Sequence, residues 1–153
     1  MNILISACLL GINTRYDGES NKNLELYSIM NKYNLIPVCP EQLGGMSTPR
    51  LPSEILGGKA QNVLKGEAKV VNLKGEDVTY NFIKGSQETL NIAKIYGCKT
   101  AILKSKSPSC GYGTIYDGTF TRKLIQGNGI CAEILSKNGI NVFTEKELRI
   151  VFK

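Results

Sequence analysis

Apolar residues fall in short, separated runs along this chain. Ile3-Leu4-Ile5, Leu35-Ile36-Pro37-Val38 and Thr100-Ala101-Ile102-Leu103 are bounded by polar residues, as buried strands are. Asn141-Val142-Phe143 predicts a short last strand, and Ala68 to Leu73 followed by Lys74-Gly75-Glu76-Asp77 predicts a smaller strand and its turn. Pro37 weakens the second strand, because proline has no N–H for a sheet ladder. Between these runs the spacing becomes helical. Leu26, Ile29, Met30 and Tyr33 lie at i, i+3, i+4 and i+7, which predicts a helix within 21–33. Val78 to Tyr96 predicts a longer helix that Gly97 caps, and Gly129 to Lys137 another that Gly139 ends. Thr144 is expected to N-cap a closing helix, with Glu147 completing a capping box. Cys39 to Pro52 and Lys104 to Thr121 read as long loops, and Ser53 to Gly66 as irregular.

Strands alternating with helices predict an α/β fold, a single Rossmann-like three-layer domain over residues 1–153 with a mostly parallel central sheet. In such sheets ligands bind beyond the carboxyl ends of the strands. The site is expected there.

Composition narrows the chemistry. Hydrophobic residues make up 42% of the 153 and charged residues 21%, ordinary for a folded soluble chain. No apolar run is long enough to span a bilayer, and the first residues lack the pattern of a signal peptide, so no membrane partner and a cytoplasmic location are expected. The net charge of +6 comes mostly from dispersed lysines. It attracts anions without predicting a nucleic-acid partner. Histidine is absent, which removes Cys–His and Ser–His catalytic pairs and the commonest zinc ligand. There are five cysteines, and a disulfide framework is not expected of them in a reducing compartment.

Three of the cysteines follow predicted strands: Cys8, Cys39 and Cys110. Cys98, beside a strand, and Cys131, inside a helix, read as small buried hydrophobes. Thiolates suit zinc, copper(I) or iron–sulfur. Structural zinc usually takes four ligands in local Cys-x-x-Cys pairs, and no such pair occurs. Three thiols around a [4Fe-4S] cluster would leave one iron for a substrate. Spacing alone still leaves buried thiols and a cluster site both open.

The segments Ser6-Ala7-Cys8-Leu9-Leu10-Gly11, Arg15-Tyr16-Asp17-Gly18, Pro37-Val38-Cys39-Pro40-Glu41 with Gly44-Gly45, Pro49-Arg50-Leu51-Pro52, Leu103-Lys104 with Ser107-Pro108-Ser109-Cys110-Gly111, and Ile115-Tyr116-Asp117-Gly118-Thr119-Phe120 carry a resemblance. Together they resemble the bacterial [4Fe-4S]-dependent thiouracil desulfidases, over nearly the whole chain. The resemblance implies Cys8, Cys39 and Cys110 as cluster ligands, with the substrate's sulfur taken at the open iron. It implies Glu41 and Ser107 as catalytic residues and a small thiolated pyrimidine as substrate, converted without net redox change to uracil and hydrogen sulfide.

Apart from the resemblance, Glu41 lies two residues after one cysteine and Ser107 three before another. Either could handle a proton near the cluster, or be a solvated Glu and a turn-forming Ser. Arg15, Arg50 and Lys104 are candidates for binding a substrate oxygen or balancing cluster charge. Asp17 and Asp117 read as turn formers before glycine, in two similar Tyr-Asp-Gly segments. Gly44-Gly45 reads either as a close backbone approach to the cluster or as a plain turn. Two other readings stand beside the desulfidase: the same chemistry on a thiolated nucleotide or RNA, and a non-catalytic iron–sulfur or zinc sensor.

Overall fold

Four of the apolar runs lie side by side. The computed structural model describes residues 1–153. Strand β1 (Asn2–Ser6) leads through a 3-10 turn (Ala7–Leu10) and helix α1 (Leu24–Tyr27) to β2 (Asn34–Val38). Helix α2 (Pro40–Leu43), strand β3 (Ser53–Leu56), helix α3 (Ala60–Leu64) and strand β4 (Lys69–Asn72) come next. The long helix α4 (Thr79–Ile95) then precedes β5 (Thr100–Leu103). A small pair, β6 (Thr114–Tyr116) and β7 (Leu124–Gln126), is followed by α5 (Ile130–Lys137), β8 (Asn141–Thr144) and α6 (Leu148–Val151).

The main sheet has the order β2-β1-β5-β8, and every neighbouring pair in it is parallel. Its side chains alternate between two cores, as a period of two requires. Leu4, Ala101 and Leu103 face Ala93 of α4 and Cys131, Ala132 and Leu135 of α5. Ile3, Ile5 and Ile102 face Leu26 of α1 and Leu148 of α6. This makes the three-layer α/β sandwich that the alternation predicted. A third core lies under the antiparallel β3-β4 pair, where Ile55 and Val70 meet Phe82, Ile115 and Ile130. Helix α1 lies on one face of the sheet and α5 on the other. The chain therefore reverses direction between β1 and β5, the switch point where such sheets open a crevice. No helix is long and apolar enough to cross a membrane.

Several local expectations need correction. The apolar face of 21–33 is real, with Leu26 fully buried, but only one turn is α-helical. Beyond Ser28 the backbone tightens into successive i→i−3 bonds, Ile29 to Leu26 and Lys32 to Ile29. Pro37 is tolerated because β2 is an edge strand. The supposed loop 39–52 contains α2, and the supposed irregular stretch 53–66 contains β3 and α3. The polar stretch 104–121 contains β6. At the last helix the expected box is not formed: the N-cap is Glu147, one residue before Leu148, and not Thr144. Glu147 takes the Thr144 N–H at 2.7 Å, but the Thr144 hydroxyl turns to the same carboxylate instead of capping the Glu147 N–H.

Candidate active site

The carboxyl ends of β1, β2 and β5 open into one cavity of about 560 Å³, and the three predicted thiols line it. Cys8 sits in the 3-10 turn after β1. Cys39 is the N-cap of α2, directly after β2. Cys110 lies in the loop after β5. The first N–H groups of α5 fix that loop by donating to its carbonyls: Ile130 to Pro108 at 2.8 Å and Cys131 to Ser109 at 2.8 Å. Helix α2 is held by an unusually close approach to α4. A Cβ on Gly85 would stand 1.7 Å from the Pro40 carbonyl oxygen, and one on Gly44 2.0 Å from that of Asn81. Gly44 thus serves helix packing rather than an approach to the cavity.

All five cysteines are unpaired. Burial raises the thiol pKa of Cys8 and Cys39, and raises that of Cys110 well above its ordinary value. Cys39 stands close enough to raise both Cys8 and Cys110 further. Opposing this, Asn21 Nδ2 lies 3.5 Å from Cys8 Sγ, an Arg50 nitrogen 3.9 Å from Cys39 Sγ, and Ser109 Oγ 3.7 Å from Cys110 Sγ. The Asn21 and Arg50 N–H groups beside Cys8 and Cys39, and the Ser6 hydroxyl beside Cys110, favour thiolate and tune a bound cluster. No three side chains of the metal-binding types close around a point tightly enough to hold one metal ion. The three cysteines instead line one shared cavity. Three soft thiolate donors facing one cavity fit an iron–sulfur cluster. Cys98 and Cys131 lie outside this cavity, buried as expected.

Glu41 also lines the cavity, with its side chain 15% exposed. Arg50 Nε donates to Oε1 at 3.0 Å, and Ser109 Oγ donates to Oε2 at 3.0 Å. Arg50 is almost fully buried. Its other N–H groups reach the Ser47 carbonyl, Thr48 Oγ1, the Thr14 carbonyl and Cys39 Sγ. Every guanidinium hydrogen thus has a protein partner. Ser107 Oγ accepts the backbone N–H groups of Ser109 and Cys110, both at 3.1 Å. Lys104 lines the cavity but gives its ammonium to Glu145 at 2.9 Å and to Ser105. Arg15 lies at the rim, bonded to Asn21 Oδ1 at 2.8 Å and Asp17 at 3.0 Å.

The two Tyr-Asp-Gly segments form equivalent turns on two sides of the cavity. Asp17 Oδ1 accepts the Glu19 N–H and Asp117 Oδ1 the Thr119 N–H, and Tyr16 and Tyr116 both line the space. At the second turn a Cβ on Gly118 would meet the Ile55 carbonyl at 2.5 Å, so this loop lies flat on β3. Buried Glu54 anchors it through the Gly118 and Phe120 N–H groups. Sequence reasoning singled out neither Glu54 nor Asn21. Ser109 stood inside a quoted motif without a role of its own.

Comparison with known proteins agrees with this geometry. A Bacillus subtilis (strain 168) protein called YbbK, described as uncharacterized, is 45% identical over 146 residues, covering 95% of this chain and 97% of that one. The solved structure of a [4Fe-4S]-dependent thiouracil desulfidase, TudS, superposes with a TM-score of 0.85 at 36% identity, over 97% of this chain and 93% of its own. The family model for 2-thiouracil desulfurase matches residues 3–147, a span that holds all three cavity cysteines, Glu41 and Ser107; the chain belongs to the 2-thiouracil desulfurase family.

Proposed function

We propose that this protein is a [4Fe-4S]-dependent desulfidase that converts thiouracil, or a close thiolated pyrimidine, to uracil and hydrogen sulfide, with residues 1–153 acting as one unit. The observation that carries the reading is the meeting of three thiols and a carboxylate in a single cavity, with Ser107 alongside. Cys8, Cys39 and Cys110 would hold the cluster, which when bound supplies an iron site for the substrate's sulfur. Unpaired cysteines are also what a reducing, cytoplasmic setting requires.

The net reaction adds water, breaks the C–S bond and forms a C–O bond, with no electron gained or lost. The protein's task is then to manage protons. Glu41 Oε2 takes the proton of the attacking water, and Arg50 holds the other carboxylate oxygen in place. Arg50 has no hydrogen left for the substrate, so its part is to fix Glu41 and to balance charge at Cys39. Lys104 acts likewise near Cys8, whose thiol it lowers. Arg15, at the rim, is the member of the predicted trio best exposed to an incoming ligand.

A second reading keeps the reaction and enlarges the substrate to a thiolated nucleotide. Lys106 and Arg122 support it, because both line the cavity and neither has a carboxylate partner. The test is an anaerobic assay of iron-loaded protein with free thiouracils and with thiolated nucleotides, measuring sulfide and the oxygenated base. Sulfide release with ¹⁸O from labelled water in the product supports hydrolytic desulfuration. Equal turnover of base and nucleotide removes any need for Lys106 and Arg122. Release from neither substrate would overturn the enzymatic reading in favour of a non-catalytic iron–sulfur module.

A further inference from the structure

Ser109 is 1% exposed, and its hydroxyl sits between the two proposed catalytic side chains. Its Oγ lies 3.0 Å from Glu41 Oε2 and 2.9 Å from Ser107 Oγ. The direction of these bonds follows from counting hydrogens. A serine hydroxyl has one hydrogen and two acceptor sites. Both acceptor sites of Ser107 are taken by the N–H groups of Ser109 and Cys110, so it has none left to accept from the Ser109 hydroxyl. An ionised carboxylate only accepts, so the Ser109 hydrogen belongs to Glu41. The Ser107 hydrogen is then left for Ser109. The chain reads Ser107 to Ser109 to Glu41, closed at its far end by Arg50. Cys110 Sγ, at 3.7 Å, is the longer and weaker competitor for the Ser109 hydrogen.

We infer that Ser109 is a positioning residue that joins Glu41 and Ser107 into one hydrogen-bonded unit. The inference rests on the desulfidase reading for its kinetic consequence, but not for the bonds themselves. The site is built for permanence. The Ser109 carbonyl is pinned by the Cys131 and Ala132 N–H groups, and the residue is buried. Removing that hydroxyl frees one carboxylate oxygen of Glu41 and unlinks Ser107.

The test compares Ser109→Ala, Glu41→Gln and the double variant as iron-loaded proteins. Ser109→Ala is expected to lower kcat on the order of 10- to 100-fold, with KM nearly unchanged and iron content retained. The double variant is expected to be no slower than Glu41→Gln alone, because residues that act as a unit are not additive. Infrared spectroscopy supplies a readout independent of turnover. The Glu41 carboxylate band, isolated by subtracting the Glu41→Gln spectrum, is expected to shift in Ser109→Ala. Three results would overturn the inference: an unmoved band, rate losses that multiply in the double variant, or loss of iron from Ser109→Ala, which would make the residue a prop for Cys110. If even the unsubstituted protein releases no sulfide, the functional reading fails while the infrared comparison still decides the link.

Discussion

Glu41 is held more firmly than a surface carboxylate would be. Its ion pair with Arg50 joins side chains that are 5% and 15% exposed, so water screens it little. Breaking such a pair from one side costs about 3–5 kcal/mol, because the partner is left charged and buried. Glu41→Ala therefore mixes lost chemistry with lost stability. Glu41→Gln is the cleaner change, since its amide oxygen still accepts from Arg50 Nε while its basicity is gone. We expect Glu41→Gln to keep its iron and more of its stability than Glu41→Ala, because one hydrogen bond to the still-charged Arg50 survives, but to slow sulfide release by about 10²- to 10⁴-fold, the usual share of general base catalysis. Wild-type turnover in a folded, iron-loaded Glu41→Gln protein would remove Glu41 from the mechanism. At this scale the sequence was informative about residue types but not about bonds. Glu41 and Ser107 stood out through the motifs around them. Ser109, two residues on, carries the bond that links them, yet nothing in its identity or neighbours distinguishes it from a turn-forming serine. That link spans 68 residues of chain and exists only once α2 meets the loop after β5.

The elements that position the site are its shortest ones. Helix α2 has four residues and α3 five. Periodicity needs a window of about 11–18 residues, so neither could register as a helix in the sequence. Strand β3 was hidden similarly, as four residues behind Pro52. The longer units α4 and α5 and the apolar strands β1, β5 and β8 were legible, because burial on the sheet repeats over their length. What keeps α2 in place is a backbone contact at Gly85, which no hydrophobic pattern encodes. We expect Gly85→Ala to drive α2 off α4, because its Cβ would meet the Pro40 carbonyl, which cannot rotate away. Overpacking of this kind costs at least about 1–3 kcal/mol, or roughly 2–4 °C of Tm per kcal/mol in a chain of this size. Cys39 and Glu41 flank that contact, so iron per chain should fall as well. Gln87→Ala, exposed on the same helix, serves as the control and should change neither. A Gly85→Ala protein with wild-type melting and iron content would show that α2 is free to move.

At the scale of the whole molecule, three strand ends far apart in sequence bring their thiols to one cavity beside the switch point. Because burial raises each of these thiols, the metal-free protein holds them protonated at neutral pH. Cluster loading must then displace protons and bind thiolates that only the folded chain brings together. A ligand that binds the native state and not the unfolded one stabilises by RT ln(1 + [L]/Kd), about 2.7 kcal/mol at a hundredfold excess over Kd. Loading should therefore act as a clamp across β1, β2 and β5 as well as furnish the chemistry. Reconstitution with iron and sulfide without oxygen should give a brown protein that melts several degrees above the metal-free form. Cys8→Ser, Cys39→Ser and Cys110→Ser should each lose both colour and gain, since each removes one corner of the clamp. Cys98→Ser should keep both, because Cys98 lies outside the cavity against the sheet. A rise in Tm that survives Cys110→Ser would mean that iron binds elsewhere. An anaerobic preparation that takes up no iron at all would sink the cluster, and with it the reason for three buried thiols to face one space.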